Sequence, residues 1–128
     1  MSLIKNSPSW VVDEHKMFAD STRKLFDAEM APKIDQWAEQ GIVDRDFWRT
    51  VGEQGVMGGS IAEKYGGFGG GIGFDAITVY EQGRTGDTGW GYGIQSIVSI
   101  ISMHMAVRNR RKSGYRNWSA ATALRRLP

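Results

Sequence analysis

Apolar residues recur at three- and four-residue spacing along most of the first hundred positions of the chain. Val11, Phe18, Leu25 and Met30 share one side of a helix predicted over residues 11–30. A proline ends this helix, and glycines end the helices that follow. The same periodicity predicts further helices over 33–40, 45–54, 74–83 and 90–106.

The segment 90–106 is the most apolar of these elements. Apolar residues cover nearly every side of the helix that the segment would form: Ile94, Ile97, Val98, Ile100, Ile101, Met103 and Met105. A helix that is apolar all round is typical of the centre of a domain. We therefore predict an all-α fold, an orthogonal bundle of about five helices in which residues 90–106 form a central buried helix.

A glycine-rich stretch, EKYGGFGGGIGFDA, precedes the fourth predicted helix. The dinucleotide fingerprint requires glycine at its first, third and sixth positions, directly after a strand. Counting from Gly67 and Gly69, the sixth position is Ile72; counting from Gly69 and Gly71, it is Phe74. The residues before the stretch do not have a strand pattern. The stretch is therefore not expected to bind a phosphate.

Charge divides the chain into two parts. Residues 1–106 contain nine basic and fourteen acidic residues, a net charge of −5, whereas residues 107–128 contain seven basic residues and no acidic ones. Such an asymmetry indicates two segments of different character. We predict a helical domain over 1–106 and a basic tail over 107–128.

The composition narrows the class of protein further. With 128 residues, of which 41% are hydrophobic, the chain is long enough for one folded domain. It contains no cysteine, which excludes disulfides and thiol catalysis. No apolar run is long enough to span a bilayer, and the first residues lack the apolar core of a signal peptide. The expected location is the cytoplasm.

Few residues are candidates for chemistry. His15 and His104 have no carboxylates at helical spacing, so a surface position for His15 and a packed position for His104 are favoured over metal binding or a role as general base. Ser96, Ser99 and Ser102 follow one side of the last predicted helix, where small residues allow close packing. A serine nucleophile would need a base beside it. We therefore predict no catalytic residue and no metal site.

Two longer runs carry a family resemblance. The run PKIDQWAEQGIVDRDFWRTVGEQGVMGGSIAEKYGGFGG resembles the N-terminal helical domain of the acyl-CoA dehydrogenases, and the likeness continues through FDAITVYEQGRTGDTGWGYGIQSIVSI. It covers about residues 12–106 and rests on an ordered set of motifs rather than on a single one. The resemblance implies that the glycines after Tyr65 form a bend between helices, at positions of positive φ.

The resemblance also implies a function. In this family a glutamate removes the α-proton of an acyl-CoA while the β-hydride passes to FAD, but that glutamate belongs to a C-terminal domain and much of the flavin site to a middle domain. The chain alone is therefore expected to be inactive and to bind FAD poorly. The parent enzyme would be a homo-oligomer that uses electron-transfer flavoprotein, without nucleic acid or a membrane span. The resemblance places Tyr92, Gln95, Ser96 and Ser99 along the acyl pocket.

The likeness stops after Ala106. In the family, the next residues form a run like Tyr-Gly-Thr-Glu-Glu. The residues Val107–Arg111 can be encoded by codons that give this run when one base is deleted. Our hypothesis is a one-base insertion that makes the basic tail out of frame or disordered, which sequencing of the encoding DNA tests. The alternatives are a basic arm that binds nucleic acid or an anionic membrane, and a helical interaction module. A flavin spectrum and a salt-dependent DNA-binding assay distinguish these readings.

Overall fold

The computed structural model describes residues 7–105, and this part of the chain is helical without any strand. The predicted all-α class is confirmed. Most predicted helices end within about two residues of the observed ones, as is usual for helix termini. The predicted tail over 107–128 lies outside the described residues. The helices are α1 (Asp13–Glu29), α2 (Ile34–Gln40), α3 (Arg45–Glu53), α4 (Ile72–Thr85) and α5 (Tyr92–Met105), with short 3-10 turns at Ala31–Lys33 and Glu63–Tyr65.

Aromatic side chains form the centre of the core. The ring of Trp90 lies 5.5 Å from that of Phe26 on α1 and 5.3 Å from that of Phe47 on α3, both edge to face. Trp37 on α2 adds a contact with Phe47 at 5.0 Å. Edge-to-face pairs at these distances are favourable because the ring edges and faces carry opposite partial charges. The turn before α5 is thereby fixed against α1, α2 and α3.

The glycine-rich stretch forms a bend between α3 and α4. Gly66 has φ 93°, a left-handed conformation that disfavours a side chain. A Cβ atom on Gly67 would overlap the carbonyl oxygen of Ile61. Sterics therefore account for these two glycines, and the predicted positive φ is confirmed at Gly66.

The expectation that residues 90–106 form a central buried helix is wrong for this chain. Helix α5 packs against α4 through one side only, and its opposite side is open. Ile94 is 73% exposed, Ile97 59% and Ile101 50%, whereas the polar residues Gln95 and Ser99 are buried. The most buried apolar side chains come instead from α1 and α3 and from the residue after α1: Phe26, Met30 and Val51.

The helices of residues 7–105 include none that combines the length and hydropathy needed to cross a membrane. Such a crossing takes about 20 mostly apolar residues, and α5 has 14.

Candidate functional site

A strip of polar side chains runs along the side of α5 that faces α4. The four residues predicted to border a pocket, Tyr92, Gln95, Ser96 and Ser99, lie at the spacing that places residues on one helix face. Tyr92, Gln95 and Ser99 are buried, and Ser96 is half-buried. The helix thus brings the predicted residues together, under the cover of α4.

Hydrogen bonds connect this strip internally and to α4. The Tyr92 hydroxyl donates to Oδ1 of Asp75, with 2.5 Å between the oxygens. Gln95 donates its side-chain amide to Oγ of Ser99 at 3.1 Å, and the Ser99 hydroxyl donates to the Gln95 carbonyl at 2.9 Å. The bond between Tyr92 and Asp75 therefore joins α5 to α4, whereas the bonds between Gln95 and Ser99 lie within α5.

Tyr92 and Asp75 form the most deeply buried polar pair of the strip. Tyr92 is 1% exposed and Asp75 8%. Burial, together with the hydrogen bond to Asp75, raises the pKa of the Tyr92 hydroxyl far above its ordinary value. Oδ2 of Asp75 has no hydrogen-bond partner among the described residues. The neutral phenol is the form that this site stabilises.

We predict that Tyr92 does not ionise while the chain is folded. Its folded-state pKa lies above the unfolded value of about 10, so its contribution to folding is complete below about pH 10 and is lost as the pH rises further. Near-ultraviolet absorbance of tyrosinate, recorded with far-ultraviolet circular dichroism, measures this. One of the four tyrosines should ionise only on unfolding, and Tyr92→Phe should lack that step. Full ionisation of the wild type with its helices intact contradicts the prediction.

A second polar network joins α1 to α4. Glu81 on α4 is 1% exposed. Its Oε1 accepts from Nη2 of Arg23 on α1 at 3.1 Å, and its Oε2 accepts from Nε of Arg84 at 2.8 Å. Arg84 also binds Asp27 on α1. The hydrogen bonds to Glu81 raise the pKa of both arginines. This network stabilises the pairing of α1 with α4.

The turn from α4 to α5 is organised by Asp87. Its carboxylate accepts from the backbone N–H groups of Gly89 and Trp90 at 3.1 and 3.0 Å, and from the Gln82 amide at 2.8 Å. Gln82 also donates to the Trp90 carbonyl at 2.8 Å. The turn therefore fixes Trp90 in the core and sets the position at which α5 begins.

Sequence reasoning missed three buried carboxylates. Asp75 and Glu81 are acidic residues within a largely apolar helix, and the spacing of Glu81 and Arg84 is that of a helical ion pair. Asp87 lies three residues before Trp90, a spacing typical of side chains that bind backbone N–H groups in turns. These local signals were available, but the partners of Asp75 and Glu81 on other helices were not.

His15 and the described cleft do not add a chemical site. His15 is half-buried rather than fully at the surface, and the predicted packing of the His104 side chain lies outside what the structure describes. Nδ1 of His15 accepts from the Val12 N–H at 3.2 Å, and its ring packs between those of Trp10 and Phe74. No group of three potential metal ligands occurs within residues 7–105. A cleft of about 230 Å³ lies between the end of α2 and the turn after α4. None of the four predicted pocket residues lines that cleft.

Comparison with known proteins decides the family. Residues 12–111 match the family described as Acyl-CoA dehydrogenase, N-terminal domain. The chain belongs to this acyl-CoA dehydrogenase family. The match covers most of the chain and confirms the resemblance found in its motifs. Nothing in the comparisons supports an interaction module with a basic arm.

Individual acyl-CoA dehydrogenases are also similar in sequence to this chain. The long-chain specific mitochondrial enzymes of Rattus norvegicus and Mus musculus are each 41% identical over 83 residues, and that of Sus scrofa is 40% identical. The alignment covers 65% of this chain and 19% of each relative. The chain therefore spans about a fifth of the length of these relatives.

A solved acyl-CoA dehydrogenase has a similar fold. The crystal structure of the enzyme from Geobacillus kaustophilus superimposes with a TM-score of 0.78 and 25% identity. The similar region covers 84% of this chain and 28% of that enzyme. The helical arrangement described above is thus that of one part of an acyl-CoA dehydrogenase.

Proposed function

We propose that this chain is the N-terminal helical part of an FAD-dependent acyl-CoA dehydrogenase that acts on long-chain acyl-CoA thioesters. The observation that carries the proposal is the two-sided character of α5, which buries Gln95 and Ser99 while exposing Ile94 and Ile97. A helix in a self-contained domain buries its apolar side and exposes its polar side. This orientation suits a helix that contributes a wall to a larger structure.

The polar strip supplies the proposed substrate contacts. Tyr92, Gln95 and Ser99 are held by hydrogen bonds to Asp75 or to each other. Ser96 is half-buried, so a ligand can reach it without displacing α4. We assign Ser96 to direct contact with the acyl group, and Tyr92, Gln95 and Ser99 to the positioning of the helix around it.

The three buried carboxylates do not supply a base for the chemistry. Removal of an α-proton from a thioester requires a carboxylate that can reach the substrate and accept the proton. Glu81 is occupied by two arginines and Asp87 by three N–H donors, while Asp75 accepts from Tyr92. Asp75 retains a free oxygen, but α4 and α5 bury it. We place the base in the part of the enzyme that this chain does not span.

The residues present do not fit FAD either. The cleft of about 230 Å³ is smaller than the roughly 300–1,000 Å³ of typical small-molecule sites, and FAD is a large dinucleotide. Gln82, Tyr92 and Gln95 use their side-chain donors within the chain. The indole N–H of Trp90 has no hydrogen-bond partner among the described residues, but it is buried in the core. We therefore derive no step through the flavin in this chain and place its contacts in the missing part.

We predict that the chain alone does not oxidise acyl-CoA. Incubation of the purified chain with FAD, a series of acyl-CoA thioesters and an artificial electron acceptor should reduce the dye no faster than flavin alone. The same residues fused to the remaining domains of the rat long-chain enzyme should reduce it readily. A soluble fusion that binds no FAD and lacks activity contradicts the proposed function.

A control experiment tests whether the base lies in this chain or in the rest of the enzyme. Activity of the unfused chain above the flavin control would contradict the placement of the base outside this chain. Loss of that activity in Asp75→Asn but not in Asp46→Asn would identify Asp75 as the base. Asp46 is the matched control because its carboxylate is 87% exposed.

The wider assignments remain proposals. Electron-transfer flavoprotein as the acceptor and a homo-oligomeric parent follow from the family resemblance alone. The relatives from rat, mouse and pig are named as mitochondrial, and a cytoplasmic location for this chain stays a prediction. The division into 1–106 and 107–128, with its frameshift hypothesis, also stays a prediction.

A further inference from the structure

A line of three hydrogen-bonding side chains runs from the buried Asp75 to Ser96. The Tyr92 hydroxyl donates to Oδ1 of Asp75, and Ser96 lies four residues after Tyr92, on the same face of α5. Burial and the bond to Asp75 raise the pKa of Tyr92, whereas hydrogen bonds with Thr78 and Ser96 act in the opposite direction. A hydrogen bond that favours the ionised phenol is one that its oxygen accepts. We refer to Asp75, Tyr92 and Ser96 as the relay.

Thr78 does not compete with Ser96 as the donor to Tyr92. The Thr78 hydroxyl donates its proton to the Phe74 carbonyl at 3.0 Å, and a hydroxyl has a single proton to give. Thr78 is also completely buried, whereas Ser96 is half-buried. Ser96 is therefore the end of the relay that a ligand can reach.

The direction of the relay follows from the proton of Tyr92. Because a phenol has one proton and Tyr92 gives it to Asp75, the Tyr92 oxygen can only accept from Ser96. That oxygen has a fixed position, since Tyr92 is 1% exposed and its ring lies 5.0 Å from the ring of Trp90 in the core. The Ser96 proton is thereby held towards Tyr92, and the lone pairs of Ser96 remain for a ligand.

We propose that Asp75 is a positioning residue that sets, through the hydroxyl of Tyr92, the orientation of the Ser96 hydroxyl at its contact with the acyl group. This role rests on the proposed function, which gives Ser96 that contact. Asp75 acts from the buried side of the helix, because it is 8% exposed and its Oδ2 has no hydrogen-bond partner among the described residues. Without Asp75, the hydroxyls of Tyr92 and Ser96 would rotate freely. Substrate binding would weaken, whereas the chemical step, placed in the rest of the enzyme, would keep its rate.

Steady-state kinetics of the fusion with the remaining domains of the rat long-chain enzyme test this role of Asp75. Asp75→Leu keeps the branched shape of the side chain but removes the acceptor. It should raise KM for acyl-CoA about threefold to tenfold, the range for the loss of one hydrogen bond, while kcat changes by less than about twofold. Asp75→Asn keeps an acceptor oxygen and should restore most of the wild-type KM. In a Ser96→Ala background, Asp75→Leu should have no further effect on KM.

Glu81→Gln is the matched control, since Glu81 is another buried carboxylate of α4 but bonds to Arg23 and Arg84. It should lower the stability of the fold and leave KM unchanged. A second measurement uses the unfused chain. In urea unfolding, Asp75→Leu and Tyr92→Phe should each lower the midpoint, and the double variant should lower it by less than the sum of the two, because both changes remove one shared bond.

The role of Asp75 is overturned by an active fusion whose KM is unchanged by Asp75→Leu, by Asp75→Asn as impaired as Asp75→Leu, or by an equal rise in KM from Glu81→Gln. A further rise in the Ser96→Ala background, or additive shifts in the unfused chain, would overturn it as well. All of these results leave the proposed function intact. A fusion that is inactive with every acyl-CoA contradicts the proposed function itself, and thereby the role that rests on it.

Discussion

Phe26→Ala is expected to lower the free energy of unfolding by about 3–5 kcal/mol. Phe26 is fully buried, and its ring packs edge to face on Trp90 at 5.5 Å and lies 6.2 Å from the ring of Phe47. Removing the ring leaves a cavity that α1, α3 and the turn before α5 cannot close together, because each is also held by other contacts. A small domain has about 5–15 kcal/mol of stability in total, so a large share of it would be lost.

Urea unfolding followed by circular dichroism measures this effect. The matched control is Phe68→Ala in the glycine-rich bend, where the side chain is 56% exposed and its loss should cost about 1 kcal/mol or less. Comparable losses for the two variants would show that the aromatic cluster around Trp90 does not dominate the stability of this chain.

The periodicity of apolar residues was sufficient to predict the helices. Local rules determine where helices begin and end, since proline and glycine act on the backbone within one or two residues. Helix α2 ends before Gly41, as predicted, whereas α4 continues past its predicted end at Gly83 and ends before Gly86. The start of α4 was predicted two residues late, at Phe74 instead of Ile72, because the glycines masked the first turn.

The orientation of α5 could not be predicted in the same way. Counting apolar residues gave a helix suited to complete burial, but burial also depends on how much of the protein surrounds the helix. Within residues 7–105, α4 covers the side of α5 that carries Tyr92, which bonds to Asp75, 17 residues away. Ile100 packs against Ile61. The family resemblance grouped Tyr92, Gln95 and Ser99 on this helix. The partner of Tyr92 on α4, Asp75, carried no comparable signal.

The sequence also did not predict contacts between residues that lie far apart along the chain. The bond between Arg23 and Glu81 joins residues 58 positions apart, and a single sequence holds no local pattern that pairs them. Only Arg84, three residues after Glu81, was identifiable as a neighbour. The packing of α1 on α4 is therefore a property of the tertiary structure that periodicity alone leaves open.

Glu81→Gln is expected to lower the free energy of unfolding by about 3 kcal/mol, the lower end of the range for breaking a buried ion pair. The substitution preserves shape but leaves Arg23 and Arg84 without their shared buried carboxylate. The arginine side chains are 32% and 30% exposed, so water relieves part of the cost, and Arg84 keeps its bond to Asp27.

The same chemical change at the surface provides the control for Glu81→Gln. Asp46→Asn breaks the pair with Arg49, whose atoms are 3.2 Å apart but whose carboxylate is 87% exposed, and should cost about 1 kcal/mol or less. Both variants are measured by urea unfolding at neutral pH. If Glu81→Gln costs no more than Asp46→Asn, the charged network does not hold α1 against α4. The apolar contacts between the two helices would then account for their pairing.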